Sequence, residues 1–73
     1  MLIITFMKPN VIIDSDTMIT GNITIYDKEK HELRTLNVDH KSFISIRTRS
    51  SWPKELEIEI DTGNKKFKKE LLT

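Results

Sequence analysis

Two histidines are the obvious candidates for acid–base or metal chemistry. His31 lies between Glu29 and Glu32, and His40 follows Asp39. A histidine beside a carboxylate can act as a base or hold a metal ion. The spacing gives neither H-x-H nor H-x-x-x-H, and the chain has no cysteine, so no zinc ligand set is spelled out. Each histidine falls in turn-forming sequence, where a solvated imidazole needs no further role. Asp14-x-Asp16, followed by Thr17, could offer oxygens to calcium. It lacks the glycine and the distal glutamate of a calcium loop, so side chains that bond their own turn are the better reading. Ser50-Ser51 sits between Arg49 and Trp52 with no glycine elbow, which argues against a serine nucleophile. Gly21 and Gly63 are too far apart to cradle a phosphate. The expectation is a protein that is not an enzyme, with no catalytic residue, metal or cofactor.

The strongest binding signal is Arg47-Thr48-Arg49-Ser50-Ser51-Trp52. Two arginines on one side of a strand, close to a tryptophan, suit single-stranded nucleic acid: guanidinium groups meet phosphates and the indole stacks on a base. The same residue types dominate protein–protein hot spots. A third reading needs no partner. Arg47 and Arg49 would pair with acids on a neighbouring strand while Trp52 caps one end of the core. Lys65, Lys66, Lys68 and Lys69 form a C-terminal cluster, of which Lys66 and Lys68 are further candidate contacts. If the tail folds back as a hairpin, Asp61 and Glu59 face those two lysines, and a salt-paired solvated face explains much of the cluster.

The elements that must position these residues read as strands. In Glu55–Asp61, Leu56, Ile58 and Ile60 alternate with acids, a period of two. Gly63-Asn64 is a tight-turn dipeptide. Folding about it sets Asp61 opposite Lys66, Ile60 opposite Phe67, Glu59 opposite Lys68 and Leu56 opposite Leu71, and predicts a hairpin over 55–71 with one wet face. The competing reading makes residues 65–72 a short helix, since Phe67 and Leu71 are spaced i, i+4. Upstream, Leu2–Met7 is a strand apolar on each side, and Lys8-Pro9-Asn10 breaks it. Val11–Ile13 is a second strand ended by Asp14-Ser15-Asp16. Residues 17–27 form one strand bulged at Gly21, or a hairpin about Gly21-Asn22. Residues 33–39 and 43–50 are two more strands, separated by a turn at His40-Lys41-Ser42.

Six to seven short strands in one small domain over residues 1–73 point to an all-β antiparallel sandwich or a partly open barrel. Abundant isoleucine and the absence of alanine agree with strands. The isoleucine- and lysine-rich usage also suggests an AT-rich coding genome, as in many low-GC bacteria and their phages. Ile19-Thr20-Gly21, Asp39, Phe43-Ile44 and Leu56–Ile60 resemble the transthyretin-like family of small β-sandwich modules over about half of the chain, without the glycine that usually precedes the phenylalanine. That resemblance implies a sandwich and carries no function with it.

At 73 residues the core is thin, since a domain of this size buries roughly 60% of its unfolded surface. Without disulfides, self-association is one source of added stability. The first strand is apolar on each side, so Leu2, Ile4 and Phe6 are the candidate interface of a homodimer. A net charge of +1 exerts no global pull on nucleic acid or an anionic membrane. No apolar run approaches a membrane span, and residues 1–7 are too short for a signal segment, so a cytoplasmic protein is expected. The functional expectation is a small module acting through contact with another protein, such as a phage or mobile-element accessory or inhibitor. The alternative is a small barrel that binds single-stranded nucleic acid through Arg47, Arg49, Trp52 and the C-terminal lysines.

Overall fold

The computed structural model describes all residues, Met1–Thr73. The chain forms five strands, β1 (Leu2–Met7), β2 (Asn10–Tyr26), β3 (Glu32–Arg47), β4 (Glu55–Asp61) and β5 (Lys66–Leu72). It contains no helix, and so none long and apolar enough to cross a membrane. The strands make one antiparallel sheet in which β2 is the hub. Residues 10–15 of β2 pair with β1, and residues 22–26 pair with β4, on the same side. On its other side β2 pairs with β3 along most of its length. β4 then pairs with β5.

Five strands, rather than six or seven, arise because two expected turns are bends inside long strands. Asp14-Ser15-Asp16 and His40-Lys41-Ser42 do not reverse the chain. They lie opposite each other on β2 and β3, where the pairing slips. Residues 15–18 of β2 oppose only Ser42, and Asp39 and His40 oppose only Thr20. His40 takes a positive φ of 52° there. Its N–H donates to the Thr20 hydroxyl at 3.1 Å, which itself reaches the Asp39 carboxylate at 3.4 Å. Bulges bend a strand and sharpen its twist. Two facing bulges bend the whole sheet, so it curls into a half-barrel and not a sandwich. β1 and β5 touch across the mouth of the curl without pairing.

The concave side holds the core. It consists of Ile4, Val11, Ile13, Ile19, Ile23, Ile25, Val38, Ile44, Ile46, Leu56, Ile58 and Ile60, with Leu2, Phe6, Leu33, Leu36, Trp52 and Leu71 around it. Every one of the buried residues is aliphatic, and no buried polar side-chain atom lacks a partner. The terminal hairpin has the expected register: Asp61 faces Lys66, Ile60 faces Phe67, Glu59 faces Lys68 and Leu56 faces Leu71. Residues 66–72 are strand, not helix. Gly63 sits at φ 90° in the turn, with its N–H on the Asp61 carboxylate at 2.9 Å.

Gly21 lies where β4 comes closest to β2. A Cβ at Gly21 would stand 2.0 Å from the carbonyl oxygen of Asp61. The strand bulges beside Gly21 and continues past it, so the hairpin reading of Gly21-Asn22 does not hold.

Candidate functional site

The site is built where β3 ends beside the β1–β2 turn. Asn10 pairs with Arg47, which places the first residues of β2 and the last of β3 side by side. Beyond that pair, the Thr48 N–H and hydroxyl donate to the Pro9 carbonyl at 2.8 and 2.7 Å. The Trp52 N–H then donates to the Arg49 carbonyl at 3.0 Å, closing a turn. Thr73 donates its N–H and its hydroxyl to the Lys54 carbonyl, at 2.7 and 3.1 Å, which fastens the far end of the loop. These bonds hold two loops against each other and leave an open cleft of about 640 Å³ between them. Its walls include Lys8, Pro9, Arg47, Arg49, Trp52 and Lys54.

The charged side chains that line the cleft are all of one sign. Lys8, Arg47, Arg49 and Lys54 contribute four cations, and no aspartate or glutamate side chain lines it. None of the four is in an ion pair, since the six pairs of the molecule involve other residues. The partner-free reading of Arg47 and Arg49, as ions paired to a neighbouring strand, is therefore wrong. Arg47 faces Asn10 on β2, and its cross-strand neighbours offer it no carboxylate. Trp52 is half-buried and packs against the core. It caps the core, as that reading expected, and still lines the cleft.

The other candidates fall elsewhere. Lys66 and Lys68 lie on β5, away from the cleft lining. Lys66 Nζ is 3.9 Å from Glu59, and Lys68 is unpaired. Ile4 is 4% exposed and belongs to the chain's own core, with Leu2 and Phe6 half-buried beside it. The outward residues of β1 are Ile3, Thr5 and Met7.

The histidines each meet one acid. His31 Nδ1 is 3.0 Å from Asp27, and His40 Nδ1 is 2.6 Å from Asp39. No third acid or histidine joins either pair in a metal-binding group. Asp27 is mainly a turn former, for its carboxylate also accepts the Glu29 and His31 N–H groups at 2.9 and 2.8 Å. Partial burial pushes its carboxyl up, but these donors together hold it below the usual range. Asp14 and Asp16 lie within β2. Asp16 is held low by the Met1 ammonium group paired to it, and Thr17 N–H bonds the Ser15 hydroxyl at 3.1 Å.

Lys8 and Lys54 escaped sequence reasoning. Lys8 sits in the β1–β2 turn, far from the Arg-Trp segment in the chain, and Lys54 follows Pro53, two residues past Trp52. The signal that could have found Lys8 is the pairing of Val11–Ile13 with Ile44–Ile46, which brings the Lys8-Pro9 turn beside Thr48. No family model, curated protein or solved structure matches the chain.

Proposed function

We propose that the chain is a non-catalytic binding module and that the basic cleft is its working surface, taking single-stranded nucleic acid. Four unpaired cations gathered beside a tryptophan support this reading. Lys8, Arg47, Arg49 and Lys54 would meet successive phosphates, and the accessible side of Trp52 would stack on a base. The Thr48–Pro9 bond already ties the two loops, and the Thr73–Lys54 bond fastens the second to the end of β5, so little ordering is required on binding. A net charge of +1 confines attraction to the cleft and favours weak, local binding over coating of the molecule. Each histidine ring is matched to one nearby acid, and the Thr20 hydroxyl beside His40 bonds its backbone N–H and Asp39 rather than its ring.

Fluorescence anisotropy with a labelled single-stranded oligonucleotide tests the proposal. Affinity should fall as salt rises, with a log–log slope of roughly −2 to −3 for three or four phosphate contacts on a single strand. Arg49→Glu should weaken binding by about tenfold or more. Trp52→Phe, which retains a core-capping ring, should weaken it less. Absence of binding at low salt, or an unchanged affinity in Arg49→Glu, would overturn the reading.

A second reading, contact with another protein, is favoured by a different observation. Ile3, Met7 and Phe43 stand 47%, 66% and 60% exposed on the outer side of the sheet.

A further inference from the structure

Every isoleucine except Ile3 and Ile12 is buried in the core. Those two lie on the convex face of the sheet formed by β1, the first half of β2 and the second half of β3. Strand pairing lays out this face in three rows. Ile3, Asp14 and Phe43 form the first, Thr5, Ile12 and Ser45 the second, and Met7, Asn10 and Arg47 the third. Facing residues of antiparallel strands share a side, so Ile3, Ile12, Met7 and Phe43 share one surface. No residue between 1 and 73 pairs over it. The convex face of the other half of the sheet is different, with Asn22 against Asn37 and Thr24 against Thr35, and Glu57 and Glu59 paired to lysines.

Among Ile3, Ile12, Met7 and Phe43 the face carries one acid and one base, Asp14 and Arg47, and neither has an ion partner within the chain. They are two rows and one strand apart. With about 6.8 Å between same-side residues and about 4.8 Å between strands, their separation is roughly 14 Å. The midpoint falls between Ile12 and Ser45. A two-fold axis parallel to the face through that midpoint exchanges the two charges. It places Asp14 of each copy over Arg47 of the other and Ile12 over Ile12. The strands of the two copies then cross some tens of degrees from parallel, as in aligned sheet packing.

We propose that this face binds a second copy of the chain, as a two-fold dimer with Ile12 at its centre and two crossed Asp14–Arg47 ion pairs. An isologous contact must be complementary to itself. A mixed patch carrying one charge of each sign, exchanged by a single rotation, meets that condition. An unrelated partner would have to supply a matching pair of charges, whereas a second copy already has them.

Light scattering across the micromolar range, on the full chain, tests the dimer. Wild type should show twice the 8.6 kDa chain mass. Asp14→Arg and Arg47→Asp each set like charges against each other, and each should raise the dissociation constant about tenfold or more. Mixed in equal amounts, the two variants should recover the dimer, because each supplies the charge that the other needs. Each substituted side chain is exposed, and circular dichroism confirms that the fold is kept. A monomeric wild type overturns the proposal, as does a dimer indifferent to either variant or a mixture that stays monomeric. Arg47 belongs both to the cleft and to this face, so the two readings are separated by Arg49→Glu, which lies off this face, and by Asp14→Arg, which lies off the cleft.

Discussion

Gly21 and Gly63 are each at positive φ, but different obstacles meet a substitution there. At Gly63 a Cβ would enter open space, so only backbone strain counts. Asparagine tolerates that region and valine resists it. Gly63→Asn should cost less than about 1 kcal/mol, and Gly63→Val about 1 kcal/mol or more. At Gly21 the Asp61 carbonyl occupies the place of the Cβ, so Gly21→Ala should cost about 2 kcal/mol or more. Urea midpoints of the three variants check the order, and an equal cost for Gly21→Ala and Gly63→Asn would contradict it. The turn glycine was legible in the sequence because its neighbours pair about it. Gly21 was legible only as a bulge or a turn, because the strand that crowds it lies some forty positions downstream.

Among the elements, one cluster joins β2, the loop after it, and β4. Lys30 Nζ meets both oxygens of the Glu57 carboxylate at 2.5 Å and lies 5.5 Å from the centre of the Tyr26 ring. The hydrogen bond to Glu57 raises the Lys30 pKa above its usual value. Partial burial, then the nearby Glu59 carboxylate, raises that of the Tyr26 phenol. In each case the protonated form is favoured by the fold. The stabilisation is therefore complete below the unfolded pKa values, about 10 and above, and is lost as pH rises through the folded ones. Urea midpoints should be level from about pH 7 to 9 and fall above about pH 10. Glu57→Gln should lower the midpoint at neutral pH and flatten the alkaline fall, and an unchanged profile in that variant would exclude the cluster as the cause. The sequence foretold the wet face of β4 but not this clamp. A turn and a double bulge look alike locally, with Asp, Ser and His in either, and only pairing across the sheet tells a bend from a reversal. The same limit applied to the cleft: Arg47, Arg49 and Trp52 are close in sequence, whereas Lys8 joins them only through the β2–β3 register.

At the scale of the whole molecule, stability rests on a single aliphatic core with no disulfide. Ile58 is fully buried, at 0% exposure. Ile58→Ala should cost about 2–5 kcal/mol, against a total of about 5 kcal/mol at the low end for small domains. Ile58→Asp should unfold the chain outright, since a lone carboxylate would be buried. Glu70→Ser, exposed and opposite Glu57, should be nearly silent. Loss of the far-ultraviolet strand signal in Ile58→Asp and its retention in Glu70→Ser are the expected results. Equal effects would mean that the two sides of the hairpin are not inside and outside.

The position of β2 as hub also sets how unevenly the backbone should trade its protons with heavy water. Amides of residues 22–26 are flanked by β3 and β4, and those of 10–14 by β1 and β3. They can open only when the sheet comes apart, whereas β5 has one neighbour and frays from its free side. The slowest-exchanging amides should therefore lie on both ends of one strand, and between them Thr17 and Met18, past the reach of β1, should exchange early, a fast gap inside the slowest element of the chain.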